Sequence, residues 1–372
     1  MKQELIDLQK AIDKGREGKS IWIPLHFPKM GQEVGIGKSI YTIVGGMSGT
    51  GKTAFTDLAY VLAPYKWMKQ NYDKTGITIR VIYHSMERSK TYKLAKWVSM
   101  KLYTQYNILM DVPDILGWGV QRNRVPEEVY QKIVKCFDYF NEMLDYVEII
   151  EGPINPTGIW KNAYNYAETV GKFEKVPYTT LEGDEKYHTI YKTNDENLVT
   201  VVLLDHIGKL KGELNDGVFL QPQSKALMDK MSDYAGSELR DRLGFSPVIV
   251  SQFNRGLEDT QRRVKTEMSP LPSDFKNTGN LYEDADVALA LYNPYKLGDN
   301  ENLGYNIPAF VNSKGYNRFR SCYVLKNSYG VDDIAFGYNF IGEVGIMYEL
   351  KKAGLLTPED YLRFTEIKAT TI

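Results

Sequence analysis

Short apolar runs alternate with longer amphipathic stretches along this chain. The runs at Tyr41 to Val44, Thr78 to Tyr83, Val147 to Ile150, Val199 to Leu204, Pro247 to Val250, Val287 to Leu291 and Tyr323 to Leu325 have strand length. Several are apolar at consecutive positions, as strands covered on both faces are. Between them lie segments of helical period. Ala54 to Leu62 is one, and Ser224 to Gly244 is another, with Leu227, Met231, Tyr234, Ala235 and Leu239 on one stripe before Gly244 closes it. Strands alternating with helices predict an α/β fold with a mostly parallel central sheet flanked by helices.

Two segments depart from that alternation. Leu5, Leu8 and Ile12 follow helical spacing until Gly15 and Gly18, which predicts a short N-terminal helix over residues 1–18. A helix of that length is marginal alone and is expected to dock elsewhere. From Gly171 to Asn197 the chain turns polar, alternating Tyr, Thr and charged residues around Glu182-Gly183-Asp184, the pattern of an exposed hairpin insertion. The expected organisation is the helix 1–18 and one large domain, 19–372, carrying an insertion at about 171–197.

Composition changes this picture little. The 372 residues are 43% hydrophobic and 25% charged, with ample length for one large core. A formal charge of −1 argues against a wholly basic nucleic-acid coat but leaves room for a local basic lining. Cys136 and Cys322 form no CxxC pattern, and His26, His84, His188 and His206 have no metal-ligand neighbour at helical spacing. Neither a zinc site nor a disulfide framework is indicated, and the histidines are expected in packing or surface roles. No apolar stretch approaches the roughly 18 residues needed to span a bilayer, and MKQELIDLQK lacks a signal-peptide core. A soluble cytoplasmic protein with no membrane partner is expected.

The most specific chemistry follows the first strand. Residues 46 to 53 read GMSGTGKT, a complete G-x-x-x-x-G-K-[ST] phosphate loop between a strand and a helix. Its glycines let successive backbone N–H groups turn toward phosphate oxygens, and the following helix adds its positive end. Gly46, Met47, Ser48, Gly49, Thr50, Gly51, Lys52, Thr53 and Ala54 are the expected nucleotide-binding residues. Lys52 would reach the β- and γ-phosphates and Thr53 would ligate Mg²⁺, so ATP and Mg²⁺ are the expected cofactors.

Three other strand ends carry candidate groups. Val201-Val202-Leu203-Leu204-Asp205 ends in a carboxylate suited to hold Mg²⁺ beside such a loop, although turns also favour Asp. His84-Ser85-Met86-Glu87 places Glu87 at the carboxyl edge of the sheet, where ligands of open α/β sheets bind. Glu87 is either the group that polarises the attacking water or a helix-start acid behind a Ser85 cap. Gln252, in Ser251-Gln252-Phe253-Asn254-Arg255, is either a γ-phosphate sensor or a loop amide.

As a set these segments resemble the C-terminal motor domain of DnaB-type replicative helicases. IVGGMSGTGKTAF, YHSMERS, VVLLDHIGKL, SQFNR and SDFKNTGNLYEDADVALALY occur in the family's order over about Lys38 to Gly342. The resemblance implies a RecA-like P-loop NTPase fold and a homo-oligomer, a hexameric ring on single-stranded DNA. It implies that Glu87 is the general base, Lys52 and Gln252 catalytic partners, and Thr53 and Asp205 the metal ligands. It gives Lys276, Asn277 and Gly279, which read from composition as a solvated loop, the role of contacting DNA phosphates in the channel. The N-terminal helix resembles the linker helix that packs on the adjacent subunit. The collar domain that precedes it in full-length relatives is expected to be missing, which suggests a phage or mobile-element protein acting in a bacterial host cytoplasm.

One segment departs from the family. Its Lys-x-Arg pair, which reaches the neighbour's γ-phosphate, is replaced here by Lys326-Asn327-Ser328. Lys326, Arg320 and Arg318 are therefore the candidates for a trans-acting finger. The expected function is an ATP-dependent DNA helicase, with a primase or helicase loader as further partner. The alternative is a RecA-like ATPase of recombination or protein remodelling without helicase activity.

Overall fold

The computed structural model describes every residue except 1, 119–123, 180–183, 255–256, 258–261, 263–267, 276–279 and 367–372. The helix α1 (Gln3–Arg16) leads into strand β1 (Thr42–Gly46) and, after the phosphate loop, α2 (Lys52–Asp57). α2 runs through a π-helical turn (Leu58–Leu62) into α3 (Ala63–Thr75). Next come β2 (Thr78–Ser85), α4 (Lys90–Tyr106), α5 (Glu127–Met143), β3 (Val147–Glu151) and α6 (Pro156–Val170). A hairpin, β4 (Gly171–Thr179) and β5 (Glu185–Thr193), precedes β6 (Leu198–Asp205). A second hairpin, β7 (Glu213–Asn215) and β8 (Val218–Leu220), precedes α7 (Lys225–Asp233), a π-helical stretch (Tyr234–Arg242) and β9 (Ser246–Gln252). β10 (Val287–Tyr292), β11 (Phe319–Asn327), β12 (Ile334–Ile341) and β13 (Ile346–Glu349) follow.

Nine strands make the central sheet, in the order β13-β12-β11-β10-β1-β9-β6-β2-β3. From β10 to β3 the pairs are parallel, and β11, β12 and β13 add antiparallel strands at one side. Along the parallel strands alternate side chains enter two separate cores. Val44, Val81, Tyr83, Val201, Leu203 and Val250 point to one; Ile43, Ile82, Val202, Leu204 and Ile249 point to the other. Each fully buried aliphatic side chain contributes about 1.5–3 kcal/mol, which is why these runs are apolar at consecutive positions. All seven sequence-predicted runs lie in this sheet. β12 and β13 were not anticipated.

The insertion is a hairpin whose register runs from Gly171 opposite Thr193 to Thr179 opposite Glu185, with its turn outside the described residues. Phe173 stacks on Tyr164 and contacts Tyr191 at its base, while Tyr178 and Tyr187 are exposed. It leaves the sheet where β6 begins, at the amino edge. There too Lys14 of α1 pairs with Glu196 at 2.9 Å, and Leu5, Leu8 and Ile12 stand 53%, 56% and 52% exposed. No helix among the described residues is long and apolar enough to cross a membrane.

Candidate active site

Strand register assembles the candidate residues. Gln252 ends β9 opposite Gly46 of β1, and Asp205 ends β6 opposite Ser85 of β2. The phosphate loop, the Asp205 carboxylate, the Ser85 to Glu87 turn and Gln252 therefore share the carboxyl edge of the sheet, where loops from parallel strands converge on ligands.

The loop has the backbone that a phosphate cradle requires. Gly49 and Gly51 adopt φ of +79° and +94°, open to glycine at little cost. A Cβ on Gly51 would also sit 2.7 Å from Met347. Lys52 Nζ folds back on the carbonyls of Gly46 at 2.7 Å and Met47 at 2.9 Å. Burial lowers the Lys52 pKa to about 8 against the raising pull of Asp205 and Glu87, and an arriving polyphosphate would raise it again. Thr53 Oγ1 donates to Asp205 Oδ1 at 3.1 Å. A hydroxyl and a carboxylate this close, beside a phosphate loop, fit Mg²⁺, a hard cation that takes one or two protein oxygens and fills its shell with phosphate and water.

Behind Asp205 lies a buried charge cluster that sequence reasoning missed. Lys93, 1% exposed, lies 3.0 Å from Asp205 Oδ2 and 3.2 Å from Asp57 Oδ1. The Tyr83 hydroxyl donates to Asp57 Oδ1 at 2.6 Å and also contacts Lys93, and Trp97 Nε1 donates to Asp57 Oδ2 at 3.0 Å. Burial works against the Lys93 charge, but Asp57 and Asp205 hold its pKa above the ordinary value. Burial likewise opposes the Asp205 carboxylate, yet Lys93 and Thr53 keep its pKa low. The available signal was a polar residue on an apolar stripe: Lys93, Trp97 and Met100 share the buried face of α4.

Glu87 is not a helix-start acid. The cap of α4 is Ser89, whose side chain accepts from Tyr92 N, and the carboxylate at the start of that helix is Glu151, accepting from Lys90 N at 2.7 Å. Ser85 instead donates to the Arg88 carbonyl. Glu87 Oε1 lies 3.1 Å from His206 Nε2 and 3.7 Å from Lys209 Nζ. Burial lowers the His206 pKa although Glu87 and Asp205 pull it upward. Its Nδ1 accepts from Gly208 N at 3.0 Å, so the neutral ring carries its proton on Nε2, facing Glu87. His206 thus stands in the site instead of in the packing or surface role expected of it.

The remaining candidates divide by position. Gln252 is exposed beside Gly46. Lys276, Asn277 and Gly279 lie outside the described residues. Lys326 pairs in register with Ala288 near the start of β10, at the amino edge, and its Nζ donates to the Glu283 carbonyl at 2.8 Å. It lies at the opposite edge from its own phosphate loop. Arg318 and Arg320, at 3% and 8% exposure, lie on the loop's own side. Arg318 pairs with Glu343 at 2.8 Å, and the Arg320 guanidinium covers the Phe340 ring at 5.1 Å. With Lys296, Tyr316 and Glu343 they line a cavity of about 650 Å³. The cavity adjoins the loop, because Lys296 Nζ donates to the Ser48 carbonyl at 3.0 Å and Phe340 lies 3.1 Å from a Cβ position on Gly51.

No protein-family model matches this chain, and no curated protein does. Solved structures do. The ATPase domain of a helicase aligns over 94% of this chain and 98% of its own, with a TM-score of 0.62 at 16% identity. A DnaB-like replicative helicase, described with its interactions with primase, aligns over 94% of this chain and 68% of its own, with a TM-score of 0.63 at 16% identity. The chain has the RecA-like fold of DnaB-type helicase motors. At that identity the likeness is one of fold. The Arg318, Arg320 and Phe340 wall of the cavity comes from β11, the residue just before it, and β12.

Proposed function

We propose that this chain is the ATP-driven motor of a replicative DNA helicase that moves along single-stranded DNA as a ring of identical subunits. The observation that carries this reading is the convergence of Lys52, Thr53, Asp205, Glu87 and Gln252 at one sheet edge. The loop backbone and Lys52 would hold the triphosphate, and the cavity beside them has the size and the aromatic and cationic lining for a nucleoside. Thr53 and Asp205 would hold Mg²⁺, which when bound neutralises charge on the β- and γ-phosphate oxygens. Glu87, oriented by the Nε2 proton of His206, would accept a proton from the attacking water. Gln252 would report the γ-phosphate.

Two exposed apolar stripes support the ring. Leu5, Leu8 and Ile12 on α1 and Tyr130, Val134 and Phe137 on α5 face solvent within one chain, so each has a surface to offer a neighbouring copy. Lys326, at the edge away from its own loop, is the finger candidate that suits such a neighbour's nucleotide; Arg318 and Arg320 suit their own. For the strand itself, Lys276, Asn277 and Gly279 remain the proposed contacts. The hairpin β7–β8 adds exposed Leu214, Val218 and Phe219 just beyond the metal strand, and an exposed aromatic can stack on a base. A primase or loader is the further partner proposed.

Steady-state ATP hydrolysis with and without single-stranded DNA at low salt tests the reading, because low salt preserves phosphate contacts. At least about tenfold stimulation is expected, lost in Lys276→Ala while nucleotide binding persists. Hydrolysis that ignores DNA would overturn the helicase reading and leave the remodelling ATPase.

A further inference from the structure

Lys93 takes no part in the chemistry above, yet with Asp57 it is a deeply enclosed charge at the site, each 1% exposed. It enters from α4 and meets Asp205 Oδ2 at 3.0 Å and the two oxygens of Asp57 at 3.2 and 3.4 Å. Asp57 also receives Tyr83 and Trp97, so the cation on α4 is fixed by groups from three other elements: α2, β2 and β6. The result is a division of the Asp205 carboxylate. Oδ2 faces Lys93 and, at 3.2 Å, the Tyr83 hydroxyl; Oδ1 faces Thr53.

We propose that Lys93 is a positioning residue for the metal carboxylate: by holding Oδ2 of Asp205 it presents Oδ1 toward Thr53, where Mg²⁺ would enter with the nucleotide. A terminal carboxylate torsion is broad and roughly two-fold, so the contacts on Oδ2, of which that to Lys93 at 3.0 Å is shorter than that to Tyr83 and carries the charge, set the direction of Oδ1. Groups that orient a metal ligand from behind commonly change metal affinity by about 10–100-fold when removed. A lysine acting only as a nearby positive charge would do the reverse, since removing it would strengthen the attraction for a divalent cation. The two accounts therefore predict opposite signs.

This inference rests on the reading of Thr53 and Asp205 as an Mg²⁺–nucleotide site, and the experiment separates the two. Binding of a fluorescent ATP analogue to the full chain is titrated with Mg²⁺ and with chelator present, for wild type, Lys93→Met, Asp57→Asn/Lys93→Met and Asp205→Asn. The double variant removes one charge of each sign, so the cluster keeps its net charge, and the amide that replaces the Asp57 carboxylate can still accept from Trp97. Its thermal unfolding shows whether it folds. The expected result is a double variant with unchanged affinity in chelator and a Mg²⁺ enhancement reduced about tenfold or more. Asp205→Asn, which removes the carboxylate itself, should lose at least as much of the enhancement, and a smaller loss there would overturn the site reading. Full Mg²⁺ enhancement in the folded double variant, or tighter Mg²⁺ binding in Lys93→Met, would overturn the role of Lys93 alone. A wild-type chain whose nucleotide binding ignores Mg²⁺ would overturn the site reading and this inference with it. An unfolded double variant would make the cluster structural and overturn the positioning role.

Discussion

At the carboxyl edge of the sheet, Thr53 is tied to Asp205 and Asp205 to Lys93, and Glu87 is tied to His206, by contacts of 3.0 to 3.1 Å. At the amino edge, Leu5, Leu8, Ile12, Tyr178 and Tyr187 face water. Buried polar groups are costly unless paired, and these pairings hold Thr53, Asp205 and Glu87 in place within one chain. Exposed apolar groups gain by being covered, so the second edge is the one proposed to meet another molecule. The proposed chemistry belongs to one edge and the proposed assembly to the other.

The largest effect that would break this division is at Glu87. Glu87→Gln should lower kcat by about 10²–10⁴-fold, the usual share of a general base, while nucleotide affinity stays within about twofold. Turnover at the wild-type rate, measured by phosphate release, would remove Glu87 from the chemistry and leave the edge as a binding site.

Next comes His84, which sits under the same edge, fully buried, with neither ring nitrogen bonded among the described residues. Burial lowers its pKa from 6.5 to about 4. The unfolded chain therefore takes up a proton that the folded chain refuses, and the contribution to stability present above pH 6.5 is lost as pH falls toward 4. At pH 5 the loss should be about 2 kcal/mol, at ~1.4 kcal/mol per pKa unit. Urea unfolding of wild type and His84→Leu at pH 7 and pH 5 isolates it. Equal acid sensitivity in the two proteins would mean that His84 is hydrated or paired.

A third, smaller effect concerns His206. If its Nε2 proton orients Glu87, His206→Phe should lower kcat by about tenfold with little change in KM, and His206→Gln, which keeps a donor, should recover most of it. Equal loss in both would assign the ring to packing.

These effects fall where the sequence was unevenly legible. The phosphate loop and the ends of β2, β6 and β9 could be read because parallel strands buried on both faces leave long apolar runs, and the functional side chain lies within a few residues of the end of each. β12 reads IAFGYNFI, in which Phe336, Tyr338 and Phe340 alternate with Ala335, Gly337 and Asn339, a period of two that was legible and was missed because the run is not continuously apolar. Lys93 and Asp57 were hidden for another reason. A lysine at a helical position reads as solvated, and only the meeting of α2, β2 and α4 at Asp205 reveals a partner that makes its burial tolerable. His206 was hidden because its partner lies 119 positions earlier in the chain, beyond any local spacing rule.

The smallest effect on the folded chain is the one that most sharpens the contrast between the edges. Leu5, Leu8 and Ile12 are more than half exposed, so replacing all three with serine should change unfolding free energy by no more than about 0.5 kcal/mol each. If α1 is completed by a neighbour, the same variant should lose the oligomer, read by sedimentation with ATP and Mg²⁺, because the apolar area that drives association is gone. Hydrolysis would then report whether one chain suffices. A monomeric variant with wild-type turnover would make the carboxyl edge self-contained, whereas turnover lost with the ring and absent also in Lys326→Ala rings would mean that the amino edge of one copy completes the carboxyl edge of the next. An oligomer that survives the three serines would show that α1 is held elsewhere and that assembly runs through another surface, such as the exposed face of α5.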